Sequence, residues 1–250
     1  MVKLTLLEKL YGSNWFRAKR HIQKRLFSVA SGLNIFISKI GKTPRGWIQI
    51  EVTGEDIIVF KNYLKKTYGI AIEELQQIGV TNKIRGKIVD SGRIGYGIYV
   101  DIGLTSPKTI DALVPLYKLR NQLLDGRRLS VKEILKNYCL YDNIPLEINI
   151  TKVDNENMKI EAELTKNQIM RYRKWFDTDL DRVIVIGATA DIVNEAIKRS
   201  RVSRDVEKII TVGILEQSII CKKGTEAPGI ITKIGPNLPK VSLRAFSSKK

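Results

Sequence analysis

Histidine and cysteine are scarce in this sequence of 250 residues, which contains one His and two Cys. A structural zinc site needs about four such ligands at short spacing, and His21, Cys139 and Cys221 lie too far apart to supply them. Two distant cysteines also do not make a disulfide framework. We therefore expect no metal site, and no motif in the sequence indicates a cofactor.

Long hydrophobic runs are also lacking. No apolar stretch approaches the roughly 18–20 residues that span a bilayer, and Lys3, Glu8 and Lys9 interrupt any secretory signal at the start. With 43% hydrophobic and 28% charged residues, the composition is that of a globular protein. We expect a soluble protein that is located in the cytoplasm and has no membrane partner.

Acidic residues are few: 26 Asp and Glu stand against 43 Lys and Arg, so the formal net charge is +17. An excess of this size attracts polyanions, of which nucleic acid is the commonest in a cytoplasm. The alternative is a charge surplus that serves only solubility. Because the net charge is +7 in residues 1–80, +3 in 81–166 and +7 in 167–250, a polyanion is expected to touch more than one of these parts.

Residues 1–80 are predicted to form an N-terminal α+β domain, a small α/β sandwich. Strands are expected at 2–7, 33–37 and 47–52, and helices after Ser13 and at 56–68. The first helix has apolar residues at spacings of three and four, as a half-buried helix requires. These residues are Trp15, Ala18, Ile22, Leu26 and Val29. The opposite face carries Arg17, Arg20 and Lys24, which are either solvated or in contact with RNA.

Residues 81–166 are predicted to form a central barrel. Ile84, Gly86 and Ile88 alternate with basic residues, which indicates a half-buried strand with a basic outer face. Further strands are expected at 95–102, 112–116, 146–153 and 158–164. Ser130 and Glu133 form a capping box that begins a helix at Val131. Five strands with one helix before the fourth is the order of a five-stranded OB-like β-barrel.

Residues 167–250 are predicted to form a C-terminal small α+β domain, which makes the whole chain an α+β protein. A helix at 168–176 leads to a strand at 182–186 and a helix that begins after Thr189. Strands at 208–221, broken near Gly213, and at 229–234 complete it. Gly187 stands alone before the second helix, so the three-glycine fingerprint of a dinucleotide site is missing.

The central segment resembles the S-one type of RNA-binding OB domain. The stretches that carry the resemblance are Arg85-Gly-Lys-Ile-Val-Asp90, Gly95-Tyr-Gly-Ile-Tyr-Val-Asp-Ile-Gly103 and Ala112-Leu-Val-Pro-Leu-Tyr-Lys-Leu119. In that family two aromatic residues of the second strand stack on bases, and they correspond to Tyr96 and Tyr99. The chain departs from the family at Pro115, where the family has a His, and in the stretches 104–110 and 120–129.

Strict alternation along a strand puts Tyr96 and Tyr99 on opposite faces. Both can face a ligand only if Gly95 or Gly97 hosts a bulge, and the alternative is that Tyr96 belongs to the core. The phosphate contacts of a bound RNA are assigned to basic residues of the barrel and of the C-terminal domain. They are Arg85, Lys87, Arg93, Lys118, Arg127, Arg128, Lys222 and Lys223.

Three other patterns each have a chemical and a structural interpretation. Cys221, beside Lys222 and Lys223, is either an activated thiol or, as we expect, a buried residue at a strand end. Asp177, Asp179 and Asp181 alternate along the chain and could point the same way in an extended metal-binding segment. We expect them instead to form a turn before the strand at Arg182. The aromatic residues of the basic stretch 171–176 either lie along RNA or, as we expect, pack its helix against the barrel.

The whole chain is similar to an uncharacterised archaeal family of basic proteins in which such a barrel is flanked by two small domains. The stretch from Gly213 to Gly229 carries this similarity, which implies an architecture and no activity. We predict a non-enzymatic RNA-binding protein of the ribosome or another large RNA assembly, with RNA and possible ribosomal proteins as partners. The alternative is a protein-interaction subunit of the transcription machinery, and an RNA-processing or RNA-modifying enzyme is the weakest interpretation.

Overall fold

Two open antiparallel sheets and a closed five-stranded barrel carry the fold in the computed structural model, which describes residues 1–72 and 74–248. The chain is an α+β protein, and the predicted fold class is confirmed. Among the described residues, no helix combines the length and the apolar character needed to cross a membrane.

The first sheet has the strand order β1-β3-β2, and both of its helices contribute to the same apolar cluster. Ala18, Ile22 and Leu26 of the predicted stripe are buried in that cluster, whereas Trp15 in the first turn is 37% exposed. The elements are β1 (Val2–Lys9), α1 (Trp15–Ala30), β2 (Ile35–Lys42), β3 (Trp47–Gly54) and α2 (Ile57–Thr67).

The barrel closes in the order β4-β5-β6-β8-β7, with β6 and β8 parallel and the other neighbours antiparallel. Its core is apolar, and the predicted capping box of Ser130 and Glu133 is present. The elements are β4 (Lys83–Val89), β5 (Gly97–Asp101), β6 (Asp111–Pro115), α3 (Leu116–Leu124), α4 (Val131–Tyr138), β7 (Pro145–Asp154), β8 (Lys159–Leu164) and α5 (Lys166–Asp177).

Two helices rather than the single predicted one connect β6 to β7. Helix α3 arises because Leu116, Leu119 and Leu123 follow helical spacing and pack against the barrel core. It ends at Asp125, which has a left-handed backbone (φ 50°).

The third sheet has the order β10-β11-β9-β12, and all its neighbouring strands are antiparallel. One face of β9 packs on α6 and α7 through Val183 and Val185, and the other faces the barrel through Ile184 and Ile186. The elements are β9 (Arg182–Ile186), α6 (Ala190–Arg199), β10 (Val206–Thr211), β11 (Glu216–Cys221), α7 (Ala227–Ile234) and β12 (Ser242–Phe246).

The predicted strand at 229–234 is wrong, because these residues belong to helix α7. Pro228 in the first turn suits a helix start, and the carboxylate of Asp181 accepts a hydrogen bond from the backbone N–H of Ala227 at 3.1 Å. The fourth strand of the sheet is β12, which the sequence analysis missed. Its Phe246 packs against Trp175 and Phe176 of α5, which confirms that those two rings have a packing role.

Buried ion pairs join all three sheets. The Nζ of Lys87 on β4 lies 3.0 Å from a carboxylate oxygen of Glu8 on β1 and 2.6 Å from one of Glu216 on β11. Arg85 pairs with Glu8 at 3.1 Å, and the hydroxyl of Tyr11 donates to Glu216. We call Glu8, Arg85, Lys87 and Glu216 the buried ion cluster.

Burial dominates the electrostatics of this cluster. The side chains of Lys87 and Glu216 have no exposed surface, and that of Glu8 is 3% exposed. Burial raises the pKa of Glu216 although Lys87 opposes the shift. Gly213 is needed beside the cluster, since a Cβ there would collide with the carboxylate of Glu216 and lie 2.8 Å from the Nζ of Lys87.

Replacement of Lys87 by Met should strongly destabilise the protein. The change would leave the buried carboxylate of Glu216 without a cationic partner and Glu8 with Arg85 alone, and breaking a buried pair in this way costs about 3–5 kcal/mol. Urea unfolding followed by circular dichroism measures the loss. The control is Lys83→Met at the exposed start of the same strand, with an expected change within about 0.5 kcal/mol. Equal stability of the two variants would contradict this role of Lys87.

Candidate nucleic-acid interface

The outer face of β4 and β5 is the surface on which the sequence analysis places the ligand. The register pairs Lys87 with Asp101 and Val89 with Tyr99. Ile88, Ile98 and Val100, at the alternate positions, belong to the barrel core. The polar members of these strands therefore point out of the barrel.

The N-terminal segment covers one end of this outer face. Asp101 accepts hydrogen bonds from the Nζ of Lys9 at 2.7 Å and the indole Nε1 of Trp47 at 3.1 Å. The guanidinium of Arg45 lies 3.2 Å from Asp101 and forms two hydrogen bonds with Asp111, at 2.6 and 3.0 Å. Burial lowers the pKa of Lys9 although Asp101 opposes the shift. Asp101 has no exposed surface, so no ligand reaches its carboxylate.

The other end of the face remains open and carries the two predicted tyrosines. Tyr96 is 56% exposed and Tyr99 is half-buried, and their hydroxyl oxygens are 3.2 Å apart. The hydrogen bond with Tyr96, followed by burial, raises the pKa of Tyr99 above its ordinary value. The hydroxyl of Tyr99 therefore stays neutral at physiological pH and does not repel a phosphate.

Tyr96 can share a side of the barrel with Tyr99 because it lies outside the strand. Strand β5 begins at Gly97, so the alternation rule does not extend to Tyr96 and no bulge is required. Gly97 is closely packed: a Cβ there would lie 2.5 Å from the carbonyl oxygen of Val114 on β6. The carbonyl of Tyr96 accepts a hydrogen bond from the N–H of Leu116 at 2.8 Å, which ties the tyrosine to the start of α3.

A third exposed tyrosine, for which the sequence analysis predicted no role, directly follows Leu116, the residue whose N–H binds the carbonyl of Tyr96. This residue, Tyr117, lies in the first turn of α3 and is 58% exposed. The stretch that carries the S-one resemblance contains this residue, but its exposure depends on helix α3, which was not predicted. We call Tyr96, Tyr99 and Tyr117 the tyrosine surface.

The basic residues assigned to phosphate contact lie in different surroundings. Arg93 is exposed in the loop before the tyrosines, 3.4 Å from Asp90. Four others are also exposed, in the turn after α3 and in the turn after β11. They are Arg127, Arg128, Lys222 and Lys223. The contact of these five residues with phosphate stays a prediction.

Three of the assigned residues are engaged inside the protein. The expectation for Lys87 does not agree with its position, because its side chain is fully buried in the ion cluster. The guanidinium of Arg85 is half-buried, pairs with Glu8 and donates to the carbonyl of Val212. The side chain of Lys118 is 14% exposed and donates to the hydroxyl of Thr151 on β7 at 2.5 Å.

The other candidate motifs have structural roles in the described part of the chain. Asp181 accepts hydrogen bonds from the N–H groups of Ala227 and Ser248, and Asp179 accepts one from the hydroxyl of Ser248. Among residues 1–72 and 74–248, no group of three or more His, Cys, Asp and Glu side chains is arranged to hold a metal ion.

Family models cover most of the sequence. Residues 3–74 match the DUF2110 N-terminal domain, residues 78–176 the DUF2110 central domain and residues 180–244 the DUF2110 C-terminal domain. No curated protein matches the sequence significantly.

Solved structures give a distant likeness. The chain is similar to the intact alpha subunit of aIF2 from Pyrococcus abyssi, with 9% sequence identity, and the match covers 69% of this chain and 98% of that chain. The TM-score is 0.27, so this likeness supports neither a shared overall fold nor a shared function.

The two cysteines should be unreactive in the folded protein. Both are buried, and burial raises the pKa of Cys221 to about 11 and that of Cys139 to about 12. Only about one Cys221 thiol in ten thousand is then ionised at neutral pH, against a few per cent for a free thiol. Titration with a chromogenic disulfide should therefore detect neither thiol until the protein is denatured.

Cys139→Ser isolates the reaction of Cys221 in the same assay. Rapid labelling of the folded variant at neutral pH would show that Cys221 is an activated thiol after all.

Proposed function

The chain belongs to the DUF2110 family, and we propose that it is a non-enzymatic RNA-binding protein of the ribosome or another large RNA assembly. The tyrosine surface is the observation that carries this proposal. Exposed aromatic rings stack on unpaired bases whatever their sequence, and each stacked base contributes about 1–3 kcal/mol.

Charge supplies the second part of the proposed interaction. The net charge of +17 favours long-range attraction of a polyanion. Arg93 is the assigned cation next to the tyrosines in sequence, and the four exposed basic residues in the two turns extend the proposed contact area. Binding through such groups releases counterions and weakens steeply as the salt concentration rises.

The flanking segments limit the RNA that the barrel can accept. A strand that lay along the whole outer face of β4 and β5 would have to displace the contacts of Lys87 and Asp101, both of which are buried. We therefore expect a short unpaired segment, such as a loop or a bulge, to bind at the open end. A duplex does not offer base faces for stacking and should bind less tightly.

Helix α1 favours a second candidate function, a protein-interaction subunit. Phe16 and Phe27 are each 51% exposed, and their separation of eleven residues, three helical turns, puts them on one side of the helix. The guanidinium of Arg20 lies 4.7 Å from the ring centroid of Phe16 on the same side. Exposed aromatic residues with an arginine are typical of protein interfaces.

Replacement of Tyr99 by Leu should weaken the binding of a single-stranded RNA by about 1–3 kcal/mol, because leucine keeps the apolar bulk but cannot stack as a ring does. Tyr99→Phe is the matched control: it removes only the hydroxyl and should bind within about 0.5 kcal/mol of the original protein. Fluorescence anisotropy with a labelled oligonucleotide measures both affinities. Equal affinity of Tyr99→Leu and the original protein would exclude the tyrosine surface from RNA binding.

Nuclease treatment separates the two candidate functions. Proteins that copurify with the chain through RNA should be lost after digestion, and Tyr99→Leu should recover fewer of them. Direct partners of α1 should resist nuclease and be lost in a variant that carries Phe16→Ser and Phe27→Ser. Recovery that depends only on the two phenylalanines would favour the protein-interaction function over the proposal.

A further inference from the structure

A cleft of about 620 Å³ lies between the barrel and the C-terminal sheet. Residues of β4 and β7 form one wall, helix α5 forms the second, and β9, β10 and β11 form the third. The volume is within the range of about 300–1,000 Å³ that is usual for small-molecule sites. None of the three tyrosines of the tyrosine surface lines this cleft.

Arg182, the first residue of β9, lines the cleft and is 3% exposed. Its Nη2 donates to the hydroxyl of Thr178 at 3.2 Å, whereas Nε and Nη1 have no hydrogen-bond partner among the described residues. The guanidinium carbon lies 5.0 Å from the ring centroid of Trp175. Arg182 is therefore a buried cation without a carboxylate partner in the described part of the chain.

Burying the charged guanidinium of Arg182 without an anionic partner lowers the stability of the ligand-free protein. A guanidinium stays charged in proteins, so it cannot escape the cost of burial by losing its proton. Buried charges are ordinarily paired, and each exception requires an explanation. Two parallel N–H donors of an arginine match the oxygen atoms of a carboxylate or a phosphate. Nε and Nη1 have almost no exposed surface in the ligand-free fold, so an anion would satisfy both donors at once only after the Arg182 side chain turns into the cleft.

Ser218 provides a second polar group on the same wall. It is 1% exposed, and its hydroxyl oxygen has no hydrogen-bond partner among the described residues. The register places Ser218 opposite Ile184 and Ile220 opposite Arg182, so Ser218 and Arg182 are diagonal neighbours on the barrel-facing side of the sheet. Its hydroxyl oxygen is also covered in the ligand-free fold, so it can donate to the same anion only when the wall opens at this point.

Further cations line the cleft. Lys174 on α5 and Lys208 on β10 are exposed, and Arg85 and Arg171 are engaged with Glu8 and Glu147. With Arg182 they make five cations, against the two carboxylates of Glu147 and Glu207. The balance favours an anion over a cation as the ligand.

The rest of the cleft lining is apolar. Trp175, Leu146, Ile210 and Ile220 line the cleft beside the polar groups. Apolar and aromatic walls with a few convergent polar groups are typical of sites for organic ligands. A compound that combines a flat ring system with a phosphate group fits both parts of the lining.

We propose that this cleft binds a nucleoside phosphate, with the phosphate on Arg182 and Ser218 and the base against the apolar wall. The nucleotide is either a free mononucleotide or the terminal nucleotide of an RNA, since both offer the same chemistry. This site is separate from the tyrosine surface and does not depend on the proposed RNA contact there.

Thermal unfolding of the full chain tests the proposal with AMP, inorganic phosphate and adenosine as probes. AMP should raise the melting temperature, because a ligand that binds only the folded state stabilises it. Inorganic phosphate should act more weakly, and adenosine should have little effect because it lacks the phosphate. In Arg182→Met the affinity for AMP, measured by calorimetry, should fall about 10- to 100-fold.

Two control variants separate the site from general charge and from folding. Lys132→Met removes an exposed cation outside the cleft and should leave the affinity for AMP unchanged. Without ligand, Arg182→Met should be at least as stable as the original protein, because it removes an unpaired buried charge. A lower melting temperature of ligand-free Arg182→Met would show instead that the arginine stabilises the fold.

Ser218→Ala changes the side-chain volume little and should weaken AMP binding about 5- to 10-fold. This second variant tests the site even if Arg182→Met does not fold. Absence of any response to AMP, or an equal response in Arg182→Met and the original protein, would overturn the proposal. Tyr99→Leu should keep the response to AMP, so that failure of this site and failure of the RNA surface can be told apart.

RNA oligonucleotides that differ only in a 5′-phosphate distinguish the two sources of the nucleotide. A preference for the phosphorylated oligonucleotide that is lost in Arg182→Met would identify an RNA end. Equal binding of the two oligonucleotides, together with retained binding of AMP, would identify a free mononucleotide.

Discussion

The position of Lys87 between two buried carboxylates is the constraint on which the arrangement of the three sheets depends. Its ammonium group pairs with Glu8 from the first sheet and with Glu216 from the third, and it is itself fixed on the barrel. Arg85, on the same strand, supplies the second positive charge through its contact with Glu8. In an interior of low dielectric constant, none of these charges is tolerated without the others. Apolar contacts can tolerate a small shift between packed surfaces, whereas ion pairs of 2.6 and 3.0 Å require one relative position.

This packing also decides which part of the barrel can meet a ligand. The outer face of β4 and β5 is covered at Lys87 and Asp101, and the exposed Tyr96 lies just before the start of β5. An isolated barrel of this type would offer its whole face to a nucleic acid. Here the open end alone remains, which is why the ligand proposed for it is a short unpaired segment.

Local patterns predicted the architecture well where the determining contacts are close in sequence. The stripe of Ala18, Ile22 and Leu26 and the capping box at Ser130 are examples. The failures have long-range causes. The run Gly-Ile-Ile-Thr at 229–232 is typical of a strand, but Pro228 and the contact with Asp181, far along the chain, make it part of a helix.

The same distinction applies to the candidate site. Alternation correctly puts Lys87 on the outer face of its strand, but no local signal shows that Glu8 and Glu216 cover it. Tyr96 differs for a local reason: it lies one residue before the start of β5, where the alternation of a strand does not hold. No local sequence pattern marks Arg182 as a site residue. An arginine at the start of an apolar strand is common, and only the packing of the sheets shows that this one is buried.

The cleft beside Arg182 and the tyrosine surface depend on the ion cluster to different degrees. The guanidinium of Arg85 contacts both Glu8 and the carbonyl of Val212, and Arg85 and Val212 also line the cleft. The width of the cleft therefore follows from how the third sheet is held on the barrel. Tyr96 and Tyr99 are held by β5, β6 and the start of α3, all within the barrel. A loosening of the cluster would consequently change the cleft first and leave the tyrosines in place.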